Sequence, residues 1–150
     1  MSVANFDEAK FDAARFTDCQ FKGYSRFGKA IFQQSADFEG SEFFNGASFN
    51  QAQFNGRAFL GRTNFHGKTY FTQSIFRDSA CFSGSNFGDT YFNKANFAEE
   101  VDFLKKSCVN QVVAISNSKL LVIPQKARDD AKVVEDAVKV SAPIRTIRFC

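Results

Sequence analysis

The sequence predicts an all-β solenoid, and three observations carry that prediction. Phenylalanine recurs every five or six residues through the first hundred positions, a small residue stands two places before nearly every one, and the positions between are mostly polar. The series is Phe6, Phe11, Phe16, Phe21, Phe27, Phe32, Phe38, Phe43, Phe49, Phe54, Phe59, Phe65, Phe71, Phe76, Phe82, Phe87, Phe92, Phe97 and Phe103, with eleven steps of five and seven of six. Repetition at a short fixed period marks a chain whose units bury their apolar face only against their neighbours.

The small residue is Ala4, Ala9, Ala14, Cys19 and Ser25 in the first five units, and only Arg57 and Val101 break the pattern among nineteen. Residues two apart share one face of an extended segment, so the large and the small side chain point inward together. A helix would need apolar residues three and four apart, which a sustained step of five or six excludes. Gly23, Gly40, Gly56, Gly61, Gly67 and Gly84 each follow a phenylalanine by two. Glycine tolerates positive φ, so these positions are expected to form tight corners.

The units Ala4-Asn5-Phe6-Asp7-Glu8, Ala36-Asp37-Phe38-Glu39-Gly40 and Ala95-Asn96-Phe97-Ala98-Glu99 resemble the pentapeptide-repeat family, and the resemblance extends over about residues 4 to 105. It implies a right-handed quadrilateral parallel β-helix in which four units make one coil. Taking every fourth phenylalanine gives columns that begin at Phe6, Phe11, Phe16 and Phe21. The step from the fourth column back to the first is six in three of four cases, so the extra residues are expected to gather at that corner. Nineteen units make nearly five coils, which at a strand spacing of about 4.8 Å is a rod roughly 24 Å long. Each buried ring contributes about 2 to 3 kcal/mol, so the phenylalanine columns account for the composition without a ligand.

The rhythm stops after Phe103. Residues 1–105 are expected to form the β-helix and residues 106–150 a C-terminal cap or dimerisation segment. Val112-Val113-Ala114-Ile115 and Leu120-Leu121-Val122-Ile123 flank Ser116-Asn117-Ser118-Lys119 and read as a short hairpin or a last partial coil. Pro124 introduces a helix from about Gln125 to Lys139 with Ala127, Ala131, Val134 and Val138 on one stripe, and Ile144 to Phe149 reads as a final strand. An open β-helix end exposes unpaired backbone and apolar rings, so the stripe is the candidate for cap contacts or a homodimer interface.

Net charge is +3, split as −2 through Phe103 and +5 from Leu104 onward, which is not a strong nucleic-acid footprint. The N-terminus shows no positive cluster followed by an apolar stretch, and no apolar run reaches the roughly 20 residues of a membrane helix. Cys19, Cys81, Cys108 and Cys150 lack zinc or redox spacing, so reduced thiols and a cytoplasmic location are expected. His66 is the only histidine, and the acidic residues are scattered along the outer positions. Acid–base chemistry needs convergent groups in a pocket, and a filled solenoid offers none inside. No P-loop or dinucleotide-binding glycine pattern occurs either. The expectation is therefore a protein that is not an enzyme, without cofactor or metal.

Function then falls to the outer positions. Tyr70 and Tyr91 precede phenylalanines of the first column and should stack, Ile31 and Ile75 share the next face two coils apart, and Phe44 and Leu60 each follow an inward ring. Exposed apolar groups mark partner sites, so these six are the candidate surface of a non-catalytic protein-interaction scaffold. The family resemblance implies a second reading, a DNA-mimicking binder of DNA gyrase or topoisomerase IV that protects against quinolones or toxins. That role requires a strongly negative surface. A third reading is a structural or targeting spacer with a basic recognition tail, which truncation of the tail separates from the others.

Overall fold

The computed structural model describes residues 3–98 in full and the backbone of 101–102, 111–116, 119–124 and 147–148. Its strands are short and parallel, and they stack into four sheets that form the walls of a solenoid of about four turns. The first wall is β1 (Ala4–Asn5), β5 (Ser25–Arg26), β9 (Ala47–Ser48), β13 (Thr69–Tyr70) and β17 (Thr90–Tyr91). The second is β2 (Lys10–Phe11), β6 (Ile31–Phe32), β10 (Gln53–Phe54), β14 (Ile75–Phe76) and β18 (Asn96–Phe97). The third holds β3 (Ala14–Arg15), β7 (Ala36–Asp37), β11 (Ala58–Phe59), β15 (Ala80–Cys81), β19 (Val101–Asp102) and β22 (Ile147–Arg148). The fourth is β4 (Gln20–Phe21), β8 (Glu42–Phe43), β12 (Asn64–Phe65) and β16 (Asn86–Phe87). Apart from the walls, β20 (Gln111–Ser116) and β21 (Lys119–Pro124) pair antiparallel as a hairpin. The helix expected over 125–139 lies outside the described residues, and so do Ala127, Ala131, Val134 and Val138.

Two-residue strands survive because every coil satisfies its neighbours. Phe27 N–H donates to the Ser48 carbonyl at 2.7 Å and Phe49 N–H to Tyr70 at 2.7 Å, both toward the following coil. On the second wall the direction reverses, with Ile31 N–H donating back to Ala9 at 2.8 Å and Gln53 N–H to Ala30 at 2.9 Å. Buried backbone groups are thus paired, as an interior requires. The rings stack with the same pitch: Phe27 on Phe49 at 4.9 Å and 4°, Phe49 on Phe71 at 4.7 Å and 3°, Phe54 on Phe76 at 4.5 Å and 1°. Rings of opposite columns meet edge to face, as Phe38 of the third wall and Phe49 of the first do at 5.5 Å and 85°. Both arrangements suit the ring quadrupole.

One column departs from the sequence expectation. Ala58 pairs in register with Ala36 and Ala80, so Phe59 stands beside Asp37 and Cys81 on the outer side. Leu60, not Phe59, fills the third column between Phe38 and Phe82, and it is fully buried. Leu60 is therefore core rather than partner surface, and Arg57 no longer breaks the small-residue rule, because Ala58 is the small residue of that unit. With Leu60 in place of Phe59, the six-residue steps gather at two opposite corners, second to third wall and fourth to first, rather than at one. Leu60→Ala should cost about 2–5 kcal/mol, whereas Leu60→Phe restores the ring column and should change stability by about 1 kcal/mol or less. Urea unfolding of the two variants checks this.

The five-residue steps have a separate cause. Phe27 accepts from Ala30 N–H at 3.1 Å, Phe49 from Ala52 at 3.0 Å and Phe38 from Ser41 at 3.1 Å, closing four-residue turns. The third residue of each turn has positive φ (Lys29 55°, Gln51 59°, Gly40 70°), as a type II turn demands. Polar side chains mostly fill this position, so glycine is not the corner signal it resembles. Of the six expected corner glycines only Gly40 and Gly84 have positive φ. Gly56 and Gly67 serve packing instead: a Cβ would come within 2.6 Å of Gln34 and 2.5 Å of Asn45 backbone atoms in the preceding coil.

At the third-to-fourth corner the small column is Cys19, Ser41, Thr63 and Ser85, and its hydroxyls tie coils together. Thr63 Oγ1 donates to the Phe38 carbonyl at 2.9 Å, while Ser41 and Ser85 donate to the carbonyls of Phe16 and Leu60. On the first wall Ser25 and Thr90 hydroxyls are buried without a partner. An orphaned buried hydroxyl costs about 1–3 kcal/mol. Ser25→Ala is therefore expected to raise the thermal midpoint slightly, whereas Thr63→Val should lower it.

Candidate interaction surface

Phenylalanine and the small residue consume the interior, so the outward positions of each strand and corner form the surface. Tyr70 and Tyr91 are register partners on the first wall, and their rings stack at 5.2 Å and 13°. Phe44 and His66 follow the inward rings Phe43 and Phe65 at the corner leading into the first wall. Their rings lie at 5.2 Å and 8°, and Phe44 is 40 % exposed. Tyr24 occupies the same corner one coil earlier and is half-buried.

Burial raises the Tyr24 pKa above its ordinary value, partly offset by the Ser48 hydrogen bond. Because the folded-state pKa is the higher one, this contribution to stability is complete below the unfolded value near 10 and is lost as pH rises through the folded value. Spectroscopic titration near 295 nm should find one late-titrating phenol that disappears in Tyr24→Phe.

The other sequence candidates separate. Ile31 and Ile75 lie on the second wall with Gln53 between them in register, and both are half-buried. The corner from second to third wall spends its polar groups on itself: Asn55 Nδ2 donates to Gln33 at 3.1 Å and Arg77 Nε donates to Asn55 at 3.0 Å. Toward the N-terminal end of the first wall a shallow depression opens between Asp7, Arg26, Lys29, Ser48 and Asn50. Its charges are matched across coils, with Arg26 to Asp7 at 2.5 Å and Lys29 to Glu8 at 3.1 Å. Arg62 and Glu39 form a third such pair at 3.0 Å.

Tyr24 and His66 were not among the sequence candidates for this surface. A residue just before a small position, as Tyr24 is before Ser25, reads as corner from spacing, and only the turn folds it toward the wall. Among the described residues no group of three or more His, Cys, Asp or Glu is placed to hold a metal ion. Nor is any helix there long and apolar enough to cross a membrane.

No curated protein and no solved structure matches the sequence significantly. A family model described as Pentapeptide repeats (9 copies) matches residues 27–75. The matched units sit in the middle of an unbroken run of coils with one geometry, so residues 27–75 carry pentapeptide repeats within a parallel β-solenoid.

Proposed function

We propose that the protein is a non-catalytic interaction scaffold that meets a protein partner with its first wall and the corner leading into it. One observation carries this reading. Six rings point outward among the described residues (Tyr24, Phe44, Phe59, His66, Tyr70 and Tyr91), and all but Phe59 fall on that one side. Aromatic side chains supply contact area at low entropic cost and are enriched where partners bind. The solenoid holds them at a fixed pitch, so little ordering is needed on association.

The test compares two variants that both keep the wild-type unfolding midpoint. Phe44→Ala/Tyr70→Ala/Tyr91→Ala removes the aromatic side, and Ile31→Ala/Ile75→Ala alters the second wall. In quantitative pull-downs the proteins captured by wild type should be lost with the first variant and retained with the second. Equal capture by both would sink the reading.

A phosphate-mimicking surface fits these residues less well. Between residues 3 and 98 ten Lys/Arg accompany nine Asp/Glu, and Asp7, Glu8 and Glu39 are already ion-paired. A gyrase supercoiling assay should accordingly show no inhibition at high protein excess, and inhibition at low protein concentration would reverse the preference.

A further inference from the structure

Among the described residues the third wall has six strands, against five, five and four on the others. β22 pairs parallel with β19 in the register Val101↔Ile147 and Asp102↔Arg148, continuing the register Ala80↔Val101 and Cys81↔Asp102 that joins β19 to β15. Among the described residues the first, second and fourth walls end at β17, β18 and β16. The hairpin β20–β21 pairs with itself and extends none of them.

The sequence of this strand has the form of a repeat unit. Ile147-Arg148-Phe149 places an aliphatic residue two before phenylalanine and a polar residue between, as Val101-Asp102-Phe103 does. Along this register the residues run Ala14, Ala36, Ala58, Ala80, Val101 and Ile147, from alanine to the larger aliphatic types. At the next register position Asp102 and Arg148, residues of opposite charge, are backbone partners. Cross-strand neighbours of opposite charge favour one register and disfavour slipped ones.

We propose that β22 is a displaced repeat strand that caps the solenoid by docking on the third wall of its own chain. Residues 103–146 are then an insertion within the solenoid, not a tail that follows it. The physical need is the one every solenoid end has: an uncovered strand edge and ring column must be closed by something. Here the closing piece obeys the same small-or-aliphatic, polar, phenylalanine order as the units it covers.

Paired parallel strands hold their Cα atoms about 4.8 Å apart, within disulfide range. The experiment uses the full chain with Cys19, Cys81, Cys108 and Cys150 replaced by serine and the pair Asp102→Cys/Arg148→Cys introduced. Dilute oxidation should give a monomeric product whose mass falls by two hydrogens and whose thermal midpoint rises. The control pair Asp102→Cys/Ile147→Cys puts the two thiols on opposite sides of the strand plane and should stay reduced. Crosslinked dimers, equal oxidation of the control, or no disulfide would each overturn the proposal. Deleting 147–150 from the wild-type chain gives an independent reading. The thermal midpoint should fall, and an unchanged midpoint would also overturn it.

Discussion

Phe49→Ala is expected to cost about 3–5 kcal/mol, the range for removing a fully buried aromatic ring. Phe49 stacks on Phe27 and Phe71 at 4.9 and 4.7 Å and meets Phe38 and Phe43 edge to face at 5.5 and 5.9 Å. Its removal opens a void between two coil interfaces at once. In a solenoid, stability is close to a sum over neighbouring interfaces, so a central ring matters more than a terminal one. Phe6, at the N-terminal coil, is only partly buried and should cost less. Phe44→Ala, on the outer surface, should stay within about 0.5 kcal/mol of wild type. Urea midpoints of the three variants rank them, and equal losses for Phe49 and Phe44 would contradict the inward–outward assignment.

Gly46→Ala should be nearly as damaging, at about 3 kcal/mol, for two backbone reasons. Gly46 has φ of 85°, which costs an L-residue about 1–2 kcal/mol. In addition, a Cβ there would fall on the Lys68 carbonyl oxygen and stand 2.9 Å from the Lys68 amide nitrogen. That backbone cannot retreat freely, because the Lys68 carbonyl accepts from Ala47 N–H at 3.2 Å. Gly28→Ala is the informative comparison. Its Cβ would meet the Asp7 carboxylate at 2.9 Å, a flexible side chain that can move at the expense of its bond to Gly28 N–H. Its loss should be about 1 kcal/mol, the typical worth of one hydrogen bond. A smaller effect for Gly46 than for Gly28 would mean that the fourth-to-first corner adjusts more easily than its geometry indicates.

The Phe59-Leu60 unit marks how far spacing alone can be read. Either residue satisfies a five-or-six step, and both are large and apolar, so a one-dimensional pattern favours the phenylalanine that its neighbours share. Pairing with Asp37 and Cys81 decides the matter, because a one-residue slip in a strand exchanges inside for outside. The corner glycines show a related limit. Positive φ falls on Glu8, Asp18, Lys29, Gln51, Arg62, Gln73 and Lys94, whose side chains are all exposed, while Gly56 and Gly67 answer to a neighbouring coil.

What the chain's sequence determined by itself is the solenoid, the identity of nearly all of its inward residues, and the stacking of Tyr70 on Tyr91. Each of these repeats with the chain's own period, so the same local interactions recur in every unit and one unit predicts the next. The tertiary structure alone decided the inward turn of Leu60, the gathering of Tyr24, Phe44 and His66 beside the first wall, and the pairing of the final strand with the third wall. Those depend on where corners bend and which residue lies across from which. Such contacts join positions about 22 residues apart or more, and no local pattern records them.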